Sequence, residues 1–331
     1  MMVIGLSFII CHLPFTHAVA KSYDNPDTIV VARDGTGEFR TVAEAIEVCR
    51  AFMDYHKVIF VKNGTYKEKL IIPSWLTNIE ICGESAEKTI ITYDDHANIT
   101  VPSYAPSTIT QPLKLGTFRT YTLKVEGSSI TLKNITIENN SARLGQAVAL
   151  HTEGDRITLI NCRLIGHQDT LYTGVAGTRL YFNNCYIEGT TDFIFGPSTA
   201  WFEGCTIHSL VNSYVTAAST PKDIAYGYVF NNCRLTAADG IDKVYLGRPW
   251  RDYGYTLFMN CELGAHIRPE GWHHWREEAK QTARYAEYNN RGAGAATADR
   301  VAWSRQLTKK EAAQITPATV FSIKDSWLPT E

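Results

Sequence analysis

The sequence predicts an all-β solenoid, a chain wound into stacked coils that pair strand on strand. A short pattern recurs along it: Leu or Phe, any residue, Asn or Gly, Cys, any residue, then Ile or Leu. Its cysteine falls at 162, 185, 205, 233 and 261, and a sixth copy carries Ile135 in its place, giving steps of 27, 23, 20, 28 and 28 residues. Steps of that size, with short alternating β-type segments between Asn or Gly corners, describe one coil each. The repeated Cys and Ile positions then form an interior ladder, and the Asn beside them suits a sharp corner because it tolerates the left-handed conformation. Leucine-rich repeats, the competing solenoid, need several leucines per repeat, and these are missing.

The two ends carry the caps that a solenoid requires. Thr41-Val-Ala-Glu44 is a capping box. Val42, Ala45, Ile46, Cys49 and Met53 follow at helical spacing, so an amphipathic helix is expected to cover the first coil. A second box, Thr308-Lys-Lys-Glu311, opens a short C-terminal helix, and Gly292 to Ala296 reads as a small-residue loop. No linker divides the chain, so 21–331 is expected to be one domain.

Residues 1–20 have a different character. They hold no Asp, Glu, Lys or Arg, Val3 to Cys11 is an apolar run, and Ala18-Val19-Ala20 is a small-x-small site. This predicts a signal peptide cleaved near Ala20 and a protein that is secreted or periplasmic. The run is too short to span a membrane, and Ile10 before Cys11 is not the small residue that lipidation wants. The 331 residues are 44% hydrophobic, which excludes wholesale disorder, and the net charge of −2 gives no positive field for nucleic acid. Of 8 cysteines, 7 remain after Cys11 is removed, too few and too odd for a dense disulfide framework.

Two neighbouring repeats extend alike past their cysteines. Leu164-Ile-Gly-His-Gln-Asp169 and Ile187-Glu-Gly-Thr-Thr-Asp192 are both apolar-x-Gly-x-x-Asp, and the step from 169 to 192 equals the 23 residues from 162 to 185. Equivalent positions in adjacent coils lie about 4.8 Å apart, so Asp169 and Asp192 are predicted to be neighbours on one face. Paired carboxylates at that range do not ionise together, which separates an acid from an anionic base or nucleophile. The register alone also fits turn-forming aspartates or a plain surface ladder.

Five strings in order decide between these readings. Gly64-Thr-Tyr-Lys-Glu68, Gln146-Ala-Val-Ala-Leu150, Gly166-His-Gln-Asp-Thr-Leu-Tyr172, Asp192-Phe-Ile-Phe-Gly196 and Leu246-Gly-Arg-Pro-Trp250 resemble the successive blocks of the pectin methylesterase (pectinesterase) family. The likeness runs on to Glu287-Tyr-Asn-Asn-Arg-Gly292. It implies a right-handed parallel β-helix that removes the methyl ester at C6 of galacturonate units in pectin, an anionic polysaccharide. It further implies Asp192 as nucleophile, Asp169 as general acid and base, Gln146 and Gln168 as amide donors to the oxyanion, and Arg248 as the guanidinium holding Asp192. Trp250 matches a sugar-packing surface, Thr117 a further substrate contact, and Phe195 and Tyr172 are candidate cleft-lining aromatics. The implied enzyme is a monomer that needs no cofactor, no metal, no membrane and no nucleic acid.

Other assignments follow from these. No Gly-x-Ser-x-Gly elbow is present, and two amides with a fixed cation beside one Asp make a Ser-His-Asp arrangement unnecessary. His273-His274 is the one metal-like pair, with no Cys or further His at matching spacing. Some family members bridge the place of Cys185 and Cys205. Every neighbouring pair in the ladder is equally close, so a reduced ladder is expected. A pectin lyase or glycosidase on the same solenoid, or a non-catalytic binding solenoid, are the alternative functions. A lyase should bring a calcium-binding acidic cluster, which is not found, and a glycosidase needs two carboxylates spaced for anomeric chemistry. The binding solenoid does not require Gln146, Gln168, Asp169, Asp192 and Arg248 together.

Overall fold

The computed structural model describes residues 21–101, 113–322 and 324–329. The predicted signal peptide lies outside the described residues. The chain forms three parallel sheets of 11, 7 and 8 strands, each ordered along the axis of a parallel β-helix. Twisted parallel strands joined by crossovers take the right-handed path. One coil shows the plan: strand Ile157–Ile160 lies in the eleven-stranded sheet, Arg163–Ile165 in the eight-stranded sheet and Leu171–Thr173 in the seven-stranded sheet. The next coil repeats it in register, with Leu159 opposite Phe182, Leu164 opposite Ile187 and Leu171 opposite Ile194.

The repeat pattern is explained by the corner between the first two sheets. Asn134, Asn161, Asn184, Asn232, Asn260 and Asn289 all have φ between 49° and 60° there, and Gly204 (φ 60°) takes the same place in its coil. Their amides chain from coil to coil, as in Asn184 Nδ2 to Asn161 Oδ1 at 2.7 Å. After every one of these corners except Asn289, which Asn290 follows, the next residue inward is Ile135 or a cysteine, all buried. Cys162, Cys185, Cys205, Cys233 and Cys261 are free thiols, the reduced ladder expected from their equal spacing. Beside them Phe182, Phe202, Phe230 and Phe258 stack with centroids 4.3–4.5 Å apart. One apolar core thus runs along the interior.

The N-terminal cap is shorter than its spacing suggests. Helix α1 (Val42–Glu47) is closed by the Thr41–Glu44 capping box and packs on strands Ile29–Val31, Lys57–Val61 and Leu70–Ile72. Cys49 and Met53 are buried but lie beyond the helix, in a turn where Phe52 adopts φ 54° and donates its N–H to the Trp75 carbonyl. The apolar spacing therefore continues after the helix has ended. At the other end α2 (Lys309–Ala312) follows its predicted capping box, and Ala293–Ala295 in the small-residue loop forms a 3₁₀ turn. A further helix, α3 (Pro317–Phe321), starts on Thr316 and Pro317, and its Val320 and Phe321 cover Tyr181, Trp201 and Leu257 on the outer face of the eleven-stranded sheet.

Candidate active site

The site lies on the outer face of the seven-stranded sheet. Two residues before the paired strands Leu171–Thr173 and Ile194–Gly196, the same register brings Asp169 opposite Asp192. The Asp169 N–H reaches the Thr191 carbonyl (3.2 Å), and the Asp192 N–H reaches that of Tyr214 (2.9 Å). Both aspartates sit in the left-handed region, at φ 68° and 49°, where a short polar side chain is tolerated. The glycine of the shared motif has a packing role: a Cβ on Gly189 would lie 2.2 Å from the Phe193 Cβ. That close approach turns the chain so that Asp192 points outward while Phe193 fills the core.

Arg248 completes the pair. It follows strand Tyr245–Gly247 and is anchored by its own N–H to the Thr216 carbonyl. Its Nε donates to Asp192 Oδ1 (3.0 Å) and its Nη2 to Oδ2 (2.6 Å), a two-pronged ion pair. Asp169 has no such partner, and its carboxyl accepts no hydrogen bond from the described residues. The aspartates are only 8% and 5% exposed. Burial, then the charge of Asp192, pushes the Asp169 carboxyl well above its ordinary value despite Arg248. Burial also raises Asp192, but the hydrogen bonds and charge of Arg248 work against it. The cation alone does not keep Asp192 low; it makes Asp192 the easier of the two to ionise. The pair is thereby biased toward a protonated Asp169 beside an ionised Asp192.

Above the pair is a cleft of about 220 Å³. Gln146, Gln168, Thr117, Phe118, Phe195, Ala217, Trp250 and Trp275 line it together with the two aspartates. The glutamine side chains make no hydrogen bond to the described residues. Tyr172 is not among the lining residues. It stacks on Phe195 (centroids 4.6 Å apart) and against Phe118 (4.8 Å), behind the wall. His273 and His274 lie beside the cleft, their ring centroids 4.8 Å apart. The described residues contain no group of three His, Cys, Asp or Glu that could hold a metal ion.

A model of the Pectinesterase family matches residues 28–325. The chain belongs to the pectinesterase family. A probable pectinesterase/pectinesterase inhibitor of Brassica napus is 37% identical over 88% of the chain, and the chain spans 50% of that relative's length. Among solved structures, the carrot pectin methylesterase is 33% identical with a TM-score of 0.80, over 93% of this chain and 96% of the carrot chain. A pectin methylesterase mutant in complex with a hexasaccharide is 29% identical with a TM-score of 0.77, over 91% and 98%.

Sequence reading of this pectinesterase did not single out Phe118, Ala217, Tyr214 and Trp275 at the site. Phe118 and Trp275 come from segments without a repeat register, and no sequence signal pointed to either ring. Tyr214 was legible in principle. It occupies the position of Asp169 and Asp192 in the following coil, where Ile194 pairs with Thr216.

Proposed function

We propose that this chain hydrolyses the C6 methyl esters of galacturonate units in pectin, releasing methanol. The observation that carries this reading is the buried Asp169–Asp192 pair with a two-pronged Arg248 on one member only, under a cleft lined by two glutamines whose amides bond none of the described residues. The Asp192 carboxylate attacks the ester carbonyl. The oxyanion that forms takes the N–H groups of Gln146 and Gln168, donors that need no proton of their own. As the C–O bond breaks, Asp169 gives its proton to the methoxy oxygen and methanol departs, leaving an acyl-enzyme on Asp192. Asp169, now a carboxylate, takes a proton from water as that water attacks the acyl carbon. The galacturonate acid leaves, and both aspartates return to their first states.

The remaining groups serve binding. Trp250 and Phe195 offer apolar ring surface for sugar packing, Thr117 a polar contact, and Tyr172 supports Phe195. The reaction as written draws only on side chains, so no cofactor is invoked. Export by the 1–20 segment suits a polymeric substrate outside the cell, and no helix of the described residues is long and apolar enough to cross a membrane.

Incubation with highly methylated pectin tests the reading. Methanol release without chain cleavage is expected. New ultraviolet-absorbing double bonds would establish a lyase instead, new reducing ends a glycosidase, and binding without any product a non-catalytic solenoid.

A further inference from the structure

The Arg248 guanidinium is held by more than its two hydrogen bonds. Its central carbon lies 3.9 Å from the ring centroid of Tyr214 and 3.9 Å from that of Trp275. A planar cation bracketed by two ring faces is attracted to both and resists tilting out of plane. The in-plane direction is left to Nε and Nη2, which meet the two oxygens of Asp192. The clamp is itself supported. Tyr214 stacks on Tyr245 of the next coil (5.3 Å, 12° between planes), and His273 packs against both rings. Arg268 lies over Tyr245 at 4.8 Å.

We propose that Tyr214 is a positioning residue for the nucleophile: its ring, opposed by Trp275, fixes the plane of Arg248 and so the aim of the Asp192 carboxylate. The inference rests on the reading of Asp192 as nucleophile. Tyr214 does not line the cleft, whereas Trp275 does, so Tyr214 can be altered without removing a wall of the substrate site. The charged and titratable groups around the pair are Asp169 in the preceding coil, His273 beside Tyr214, and the buried Tyr285, whose hydroxyl feels both Asp192 and Arg248. None of these supplies a second cation bonded to Asp192. Loosening Arg248 therefore leaves burial unopposed at the nucleophile.

Methanol release by Tyr214→Leu and Tyr214→Phe, measured across pH, tests this. Tyr214→Leu should lower kcat about tenfold with KM within about twofold, the size of a partly desolvated cation–ring contact. The acid limb of its kcat profile should move to higher pH, because a less firmly paired Asp192 takes up its proton more readily. Tyr214→Phe keeps the ring face and should restore both. In an Arg248→Lys background, which lacks the planar fork, Tyr214→Leu should change little further. Wild-type kcat and pH profile in Tyr214→Leu would overturn the proposal, as would an equal loss in Tyr214→Phe. If Tyr214→Leu does not fold, Tyr214→Met keeps the bulk without the ring and carries the same expectations. A wild-type chain that releases no methanol overturns the functional reading itself, and the proposal falls with it. An active wild type with indifferent Tyr214 variants overturns the proposal alone.

Discussion

Two arginines, each facing two aspartates, lie on different faces of the solenoid. Arg248 stands on the seven-stranded sheet with Asp192 and Asp169. Arg179 stands on the eleven-stranded sheet with Asp155 and Asp325. The inventories are identical and the outcomes opposite. Arg179 is wholly buried and spends its fork completely: Nε and Nη2 go to Asp155 (3.1 and 2.7 Å), Nη1 and Nη2 to Asp325, and Nη1 also to the Phe321 carbonyl. Each acid there receives a backbone N–H as well, Asp155 from Arg179 and Asp325 from Trp327. Burial works to raise Asp155, but the bonds and charge of Arg179 outweigh it and leave that carboxyl below its ordinary value. Hydrogen bonds from Arg179 bring Asp325 down to about 2. At Arg248 burial prevails and both acids are raised. The decisive difference is the unserved carboxyl of Asp169. A cation that bonds both acids makes a clamp, and a cation that bonds one of two buried acids leaves a proton to be used.

Substitution at each site should separate these roles. The largest effect is expected from Asp192→Ala, which should lower methanol release by about 10⁴-fold or more, the scale of losing a nucleophile. Its fold should stay intact, because Arg248 is part-exposed and water can take its freed donors. A circular dichroism melt with a methanol assay checks both halves, and full retained activity would remove Asp192 from the mechanism. Gln168→Ala comes next. Loss of one oxyanion donor should lower kcat about 10²–10³-fold with little change in KM. If KM alone moves, the amide binds substrate and does not stabilise the oxyanion.

The mirror experiment is Asp155→Ala. It leaves Arg179 buried with one of its two acids, and breaking a buried pair in this way costs about 3 kcal/mol. Denaturant midpoints should fall while the activity of the folded fraction stays unchanged. A loss of activity without a loss of stability would mean that the two faces communicate, contrary to the separation drawn above. The C-terminal tail should loosen with it, since Asp325 and the Phe321 carbonyl are tied to the same guanidinium.

How much of this was legible in the sequence follows from which residues obey the repeat. The Asp169–Asp192 register, the Asn corners and the cysteine ladder are fixed by coil spacing, and coil spacing is written in the chain. Arg179 and Asp325 are 146 residues apart, and their meeting depends on α3 folding back over the sheet. No local pattern encodes that return. Phe118 and Trp275 reach the cleft from segments between strands, where spacing has no period to follow. Tyr214 is the intermediate case. The register placed it beside the acids, yet a tyrosine in an acid's position carried no meaning until Arg248 was seen lying on it. The α1 spacing misled for a related reason: Cys49 and Met53 are apolar because the turn after the helix is also buried, and burial without helix gives the same letters.

The smallest expected effect has the sharpest sign. A carboxyl whose folded value is raised above its unfolded one contributes stability below the unfolded value, and that contribution is lost as pH rises through the folded value. Asp169 is such a group, raised by burial and by Asp192. Asp169→Asn removes the loss. The variant should be inactive, equal to wild type in melting temperature at low pH, and more stable as pH rises, by roughly 2 °C in a chain of this size. Asp155 runs the other way. Its lowered carboxyl contributes stability above the unfolded value of about 3.9, and that contribution is lost as pH falls through the folded one. Asp155→Asn should therefore be less stable than wild type at neutral pH, with the gap closing in acid. Melting curves of the two asparagine variants between pH 3 and 8 should thus diverge from wild type in opposite directions as pH rises. If both lose stability in parallel, Asp169 is held as a structural anion like Asp155, and the unserved proton at the heart of the proposed hydrolysis is not there.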